Sequence, residues 1–168
     1  MGPGIAFAFF ALLAWAAWDD IRAYRIPNWL VGAFLALFAA ALVSGIIPEK
    51  RILFHLATGA GALALGVLLF SRNWIGGGDA KLFAALALWA GWPETLRLAL
   101  VTAIAGGGVA LFVLWRIRRT RTANGKDIPA GPKPGRPQVP YGVALALAGL
   151  DFWIRNLVGS FSWPFIGL

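Results

Sequence analysis

The chain has no cysteine, one histidine and only seven acidic residues among 168. The missing cysteine excludes disulfides, a Cys-based zinc site and a thiol nucleophile. One histidine, His55, with no second histidine or carboxylate beside it, offers no metal cluster and reads as a structural residue. No metal or cofactor is therefore expected. Charge is scarce as well: 13% of residues are charged, against about 25% in an ordinary soluble domain. What fills the space is hydrocarbon, since 60% of the residues are hydrophobic. A membrane-crossing helix needs about 20 apolar residues, and the chain has room for six such segments. The expected class is an all-α polytopic membrane protein with about six transmembrane helices, residues 1–168 forming one membrane-embedded domain. Membrane lipids are then its surroundings.

The formal net charge is +8. In a soluble protein that would suggest nucleic acid. Here the basic residues sit between apolar runs, where they act as an orientation signal, so no nucleic-acid partner is expected. The first run, 5–18, has no Lys or Arg before it and so lacks the basic region of a signal peptide. The same lack favours an N-terminus outside. Further runs cover 29–47, 52–70, 80–90 and 96–115, and a last one runs from Val143 to about Leu150, with Asp151-Phe152-Trp153-Ile154 as a candidate continuation. The third contains Gly59, Gly61 and Gly66, and the fifth contains Gly106-Gly107-Gly108; such small residues let membrane helices approach closely. Between the fifth and sixth runs, residues 116–138 hold seven basic residues and four prolines, which reads as a flexible basic cytoplasmic loop. Six crossings from an outside N-terminus leave eleven Lys and Arg on inner loops and four on outer ones. That agrees with the positive-inside rule and puts the C-terminus outside. Most tryptophans, Trp18, Trp29, Trp74, Trp92, Trp115, Trp153 and Trp163, fall near run ends, as in an interfacial belt.

Two acidic stretches stand out against this background. One is Asp19-Asp20-Ile21-Arg22-Ala23-Tyr24-Arg25-Ile26-Pro27-Asn28, at the inner end of the first run. The other is Gly76-Gly77-Gly78-Asp79-Ala80-Lys81, at the start of the short fourth run. An ionisable group near the bilayer centre costs roughly 3 kcal/mol on insertion scales and marks a functional site by default. The orientation places both stretches on the cytoplasmic side. Two carboxylates sharing a proton beside a water can hydrolyse a peptide, one as base and one as acid. The glycines would admit an extended substrate backbone and φ values closed to other residues. Each stretch also has a simpler reading. Asp79 can cap the fourth helix, and Asp20 can pair with Arg22 or Arg25. Asp19 and Asp20 point about 100° apart on a helix, and periodicity does not choose between them. Asn28 reads as the N-cap of the second helix, after Pro27. Lys81 lies off the face of Asp79 and reads as reaching for phosphates.

Together, Asp20-x-Arg22-x-x-x-Ile26-Pro27-Asn28 and Gly76-Gly77-Gly78-Asp79-Ala80-Lys81, with Pro140-Tyr141-Gly142 at the start of the last run, resemble the type IV prepilin peptidases. These are GxGD intramembrane aspartyl proteases, related in motif to presenilin and signal peptide peptidase. The resemblance implies Asp20 and Asp79 as the catalytic pair, selecting Asp20 over Asp19. It implies Gly76, Gly77, Gly78, Pro27, Asn28, Lys81, Pro140, Tyr141 and Gly142 as residues that shape the site. It further implies an inner-membrane enzyme that removes the short basic leader of prepilins at the cytoplasmic boundary. Larger members carry a Cys-x-x-Cys domain and N-methylate the mature pilin. With no cysteine and no room for that domain, methylation is not expected, and the chain resembles the short branch associated with tight-adherence (Flp-type) pili. Archaeal preflagellin peptidases are also short. Other classes the residues allow are a proton-coupled small transporter subunit and a non-catalytic pilus assembly protein. Against transport, the glycine run has no counterpart in the other half of the chain. The oligomeric state is not set by these features.

Overall fold

A computed structural model describes residues 3–124 and 141–158. They form six helices: α1 (Pro3–Ala23), α2 (Asn28–Val43), α3 (Glu49–Ser71), α4 (Gly77–Ala90), α5 (Glu94–Asn124) and α6 (Tyr141–Val158). No strand occurs among the described residues. Three stretches, Gly4–Ala23, Glu49–Ser71 and Glu94–Trp115, are long and apolar enough to cross a membrane, and Asn28–Val43 is a shorter apolar helix. The expected class, an all-α polytopic membrane protein, is the one found. The outer surfaces of α3 and α5 fit it: Leu63, Leu65, Val67, Leu100, Ile104 and Leu111 are all exposed, as lipid-facing side chains must be.

The shortest helix is the centre. α4 packs against α2, α3, α5 and α6, and Ala80, Leu82 and every residue from Ala84 to Trp89 are buried. A helix apolar on all sides belongs inside a bundle, and its run of Ala and Leu is strongly helix-forming. Its 14 residues reach about 21 Å at 1.5 Å each. α3 runs antiparallel beside it on a stripe of small residues, Gly59, Ala62 and Gly66. A Cβ on Gly59 would lie 2.9 Å from the Leu88 Cβ, and one on Gly66 would lie 3.0 Å from the Ala80 Cβ. Gly61 has nothing within 4 Å, because it faces away. Of the three glycines expected to pack, two do.

At the end of the bundle where α3 begins, His55 ties α3 to α4. Its Nδ1 lies 2.8 Å from the Leu88 carbonyl oxygen. A carbonyl only accepts, so Nδ1 carries the proton. Farther in, the rings of Phe9, Phe34, Phe38, Trp89 and Trp153 pack mainly edge-on or tilted, with neighbouring centroids 5.0–6.3 Å apart. The Trp89 Nε1–H donates to the Phe34 carbonyl at 3.1 Å. Trp153 is fully buried in this cluster, which corrects its assignment to an interfacial belt; α6 continues past Leu150 and turns that ring inward. Trp18, Trp29, Trp74, Trp92 and Trp115 are exposed, and Trp163 lies outside the described residues.

Several helix boundaries differ from the sequence reading. α2 stops at Val43 rather than near residue 47, because Gly45 takes φ +69° and the Ile46 N–H turns back to the Ala41 carbonyl. α5 does not stop at Trp115 but continues to Asn124. Residues 116–124 contain no glycine or proline, and arginine is a good helix former. Arg119 also lies over the Trp115 ring one turn back, 4.7 Å from its centroid. The loop expected from 116 therefore starts as helix, and 125–138 fall outside the described residues. Finally, α4 begins inside the glycine run, at Gly77.

Replacing Gly59 or Gly66 by valine is expected to destabilise the protein by about 1–3 kcal/mol through overpacking. Gly61→Val should be near neutral. Thermal unfolding in detergent or nanodiscs checks the contrast.

Candidate active site

Five helix ends and one loop converge at the opposite end of the bundle. The last turn of α1 brings Asp20, which is buried, with 4% exposure. Its Oδ2 accepts the Gly142 N–H of α6 at 2.6 Å, and the Val143 N–H also reaches the carboxylate. These donors belong to the first turn of a helix, where backbone N–H groups have no partner within the helix. The approach is close enough to require glycine: a Cβ on Gly142 would lie 2.8 Å from both Cβ and Cγ of Asp20. Asp19, one residue earlier, is directed elsewhere. Its Oδ2 accepts the Trp15 Nε1–H at 3.2 Å. Arg22 lies over the Trp18 ring, 4.0 Å from its centroid, rather than beside Asp20.

Asp79 comes from the first turn of α4. α3 ends in a Schellman turn, with Asn73 at φ +57° and the Trp74 N–H bonded to the Leu69 carbonyl at 3.0 Å. That turn swings the chain back into the glycine run. Gly76 is the N-cap at φ −71°, ψ 144°, and its N–H is bonded by the Asp79 carboxylate. This is half of a capping box, so Asp79 caps its own helix. It also lies within range of the Asp20 charge. The two acids are 59 positions apart in the chain, and the fold brings their charges within range of each other.

The glycine run does not adopt the φ values expected of it. None of Gly76, Gly77 and Gly78 has positive φ. Instead, each makes room for a different neighbour. A Cβ on Gly76 would lie 2.7 Å from the Asp79 Oδ2, one on Gly77 would lie 3.2 Å from the Phe70 ring, and one on Gly78 would lie 3.1 Å from the Ile26 Cβ. Gly78 thereby presses α4 against the loop between α1 and α2. A second link joins the same two stretches: the Lys81 Nζ donates to the Asn28 Oδ1 at 3.0 Å. Asn28 is thus not the N-cap of α2. Pro27 holds that position at φ −71°, ψ 144°, without a side-chain cap, because its φ already suits the start of a helix. Lys81, expected to reach for phosphates, donates to Asn28.

The third stretch is partly visible. Tyr141 opens α6, and its ring packs on α5, where a Cβ on Gly106 would lie 3.0 Å from its Cε1. Gly107 and Gly108 have nothing within 4 Å. Pro140 lies outside the described residues. Phe70 and Val143 were not singled out by the sequence, whereas Ile26 stands in the motif that carries the resemblance. Nothing marks Phe70 in advance, and Val143 follows directly on Pro140-Tyr141-Gly142. Among the described residues no group of three or more His, Asp or Glu is placed to hold a metal ion.

Two carboxylates at the end of a membrane bundle, drawn from two separated stretches and set within range of each other, narrow the choice of protein class. The family model described as Type IV leader peptidase family matches residues 7–111, a span that contains both acids, and the chain belongs to that family. Two relatives from Burkholderia pseudomallei, strains 1026b and K96243, are each named prepilin leader peptidase/N-methyltransferase. Each is 31% identical to this chain over a match that covers 53% of it and 37% of the relative. The chain thus matches little more than a third of the length of these curated relatives. No solved structure matches it.

The chain has no cysteine of its own, so paired substitutions can measure the neighbourhood directly. Asp20→Cys with Asp79→Cys is expected to react efficiently with a short bifunctional thiol reagent. Asp19→Cys with Asp79→Cys should react poorly, and equal yields would contradict the geometry above.

Proposed function

We propose that the protein is an aspartic endopeptidase of the inner membrane that removes the short leader of prepilins. The observation that carries this reading is that the fold joins the two acidic stretches, Gly78 against Ile26 and Lys81 on Asn28, with Asp79 within range of the Asp20 charge. In this mechanism the two carboxylates share a proton and titrate as a pair. One takes a proton from water as the water oxygen adds to the scissile carbonyl. The other gives its proton to the carbonyl oxygen. Collapse of the tetrahedral species breaks the C–N bond, and a proton passes to the leaving amine. Pro27, Asn28 and Lys81 would brace the loop between α1 and α2 against α4. The glycines, with Pro140, Tyr141 and Gly142, would shape the surroundings of the two acids.

Residues 1–168 act as one membrane-embedded peptidase domain in this reading. The active site faces the cytoplasm, and both termini lie outside, in keeping with the eleven-to-four distribution of basic residues. The substrate is the leader together with the apolar helix that follows it, presented at the lipid boundary. The reading takes the activity as peptidase without N-methylation, on substrates of tight-adherence pili.

Co-expression with a prepilin-like substrate tests the proposal. Asp20→Asn and Asp79→Asn are each expected to lower cleavage on the order of 10³-fold, while Asp19→Asn keeps substantial activity. Cleavage at the wild-type rate by either of the first two would rule out the shared-proton pair.

A further inference from the structure

Gly142 belongs to neither acidic stretch and lies beyond the part of the chain that the family match covers. Yet its N–H donates to the Asp20 Oδ2 at 2.6 Å. We infer that the first turn of α6 is a third component of the site, with Gly142 as a positioning residue that fixes the Asp20 carboxylate relative to Asp79.

Three observations support this inference. First, both Asp20 and Gly142 are buried, so water does not readily replace the bond between them. A buried carboxylate that loses its donor is strongly destabilised and must move or change protonation state. Second, the contact is steric as well as polar. With 2.8 Å from a hypothetical Cβ to the Asp20 Cβ and Cγ, any larger residue at 142 must push the carboxylate off its donors. Third, the turn is braced from behind. The Tyr141 ring lies on Gly106 of α5, and Arg97 of α5 makes a two-point ion pair with Asp151 of α6, at 2.9 and 3.2 Å. The first turn of α6 therefore has a fixed place against which Asp20 is set. The inference rests on the two-aspartate reading above and adds to it the source of the geometry.

The test uses the full chain in nanodiscs with a prepilin-like peptide. Gly142→Ala is expected to lower kcat about 100-fold, the order of loss that follows a small misplacement of a reacting group. KM should stay within about twofold, because the substrate still binds. Gly149→Ala is the control. It loads the same α1–α6 interface, with a Cβ 2.8 Å from the Leu13 side chain, but away from the carboxylates. It should lose thermal stability while keeping the kcat of the folded enzyme. Wild-type kcat in Gly142→Ala, or a kcat loss no larger than in Gly149→Ala, overturns the inference. If Gly142→Ala does not fold, Val143→Pro removes the second donor at a position where the helix makes no use of the N–H. A kcat loss of about tenfold or more without a change in KM supports the inference, and wild-type kcat overturns it. Asp20→Asn assayed in parallel separates the two levels. An active Asp20→Asn removes the two-aspartate reading itself. An inactive Asp20→Asn beside an unaffected Gly142→Ala removes only the role of α6.

Discussion

The structure depends on one awkward requirement, that a carboxylate be buried in a bundle made of hydrocarbon. An isolated charge there is prohibitively unfavourable unless hydrogen bonds compensate it. The compensation comes from the start of α6, whose backbone N–H groups are available because no earlier turn exists to accept from them. Much of the arrangement follows. The end of α1 must meet the beginning of α6, so the two helices pack together. They can do so only where residues are small: Gly142 under Asp20 and Gly149 under Leu13. The same pairing directs Asp20 into the bundle and leaves Asp19 on the flank with Trp15.

The second carboxylate is placed by a different device. α4 is too short and too enclosed to adjust its position, since Ala80 meets Gly66 near its start and Leu88 meets Gly59 near its end. Its first turn is set by three glycines with three different neighbours: Asp79 itself, Phe70 of α3 and Ile26 of the loop between α1 and α2. A side chain at any of the three would displace something that matters to Asp79. The run is therefore a packing device before it is a substrate channel. Gly76, the exposed member, is the one whose missing side chain also opens toward the surroundings. Rigid support of this kind is what the proposed carboxylate pair would need, because the separation of reacting groups has to hold to a fraction of an ångström.

Much of this was legible in the sequence, and the exceptions have physical causes. Apolar runs located all six helices, because hydropathy reports the solvent that each segment faces. Helix ends were less visible. Asn28 has the right chemistry for an N-cap, but Pro27 takes the position and leaves Asn28 to bind Lys81. The arginines after Trp115 looked like a loop because charge was read as the end of the span. A helix, however, is not obliged to stop where the membrane does, and the first glycine comes only at residue 125. Trp153 looked interfacial by position, yet a helix rotation of a single residue decides whether an indole faces lipid or core. Asp20 and Asp19 were inseparable by periodicity, since the choice depends on where α6 lies. That is a long-range fact carried by contacts 122 positions apart.

That distance bears on how the site is held together. The two acids fall within residues 7–111, where the family match lies, while the donors to Asp20 come from α6, on the far side of 125–140. The position of α6 does not need to be transmitted through that connection. α5 holds it at two separated points, Gly106 against Tyr141 near one end and Arg97 with Asp151 farther along, and α1 holds it at two more. Four side contacts thus define where the helix lies. A single methyl group on Gly142 would lie 2.8 Å from both Cβ and Cγ of Asp20. The constraint on this part of the chain is concentrated where α6 begins, and it is set by the carboxylate that α6 has to receive.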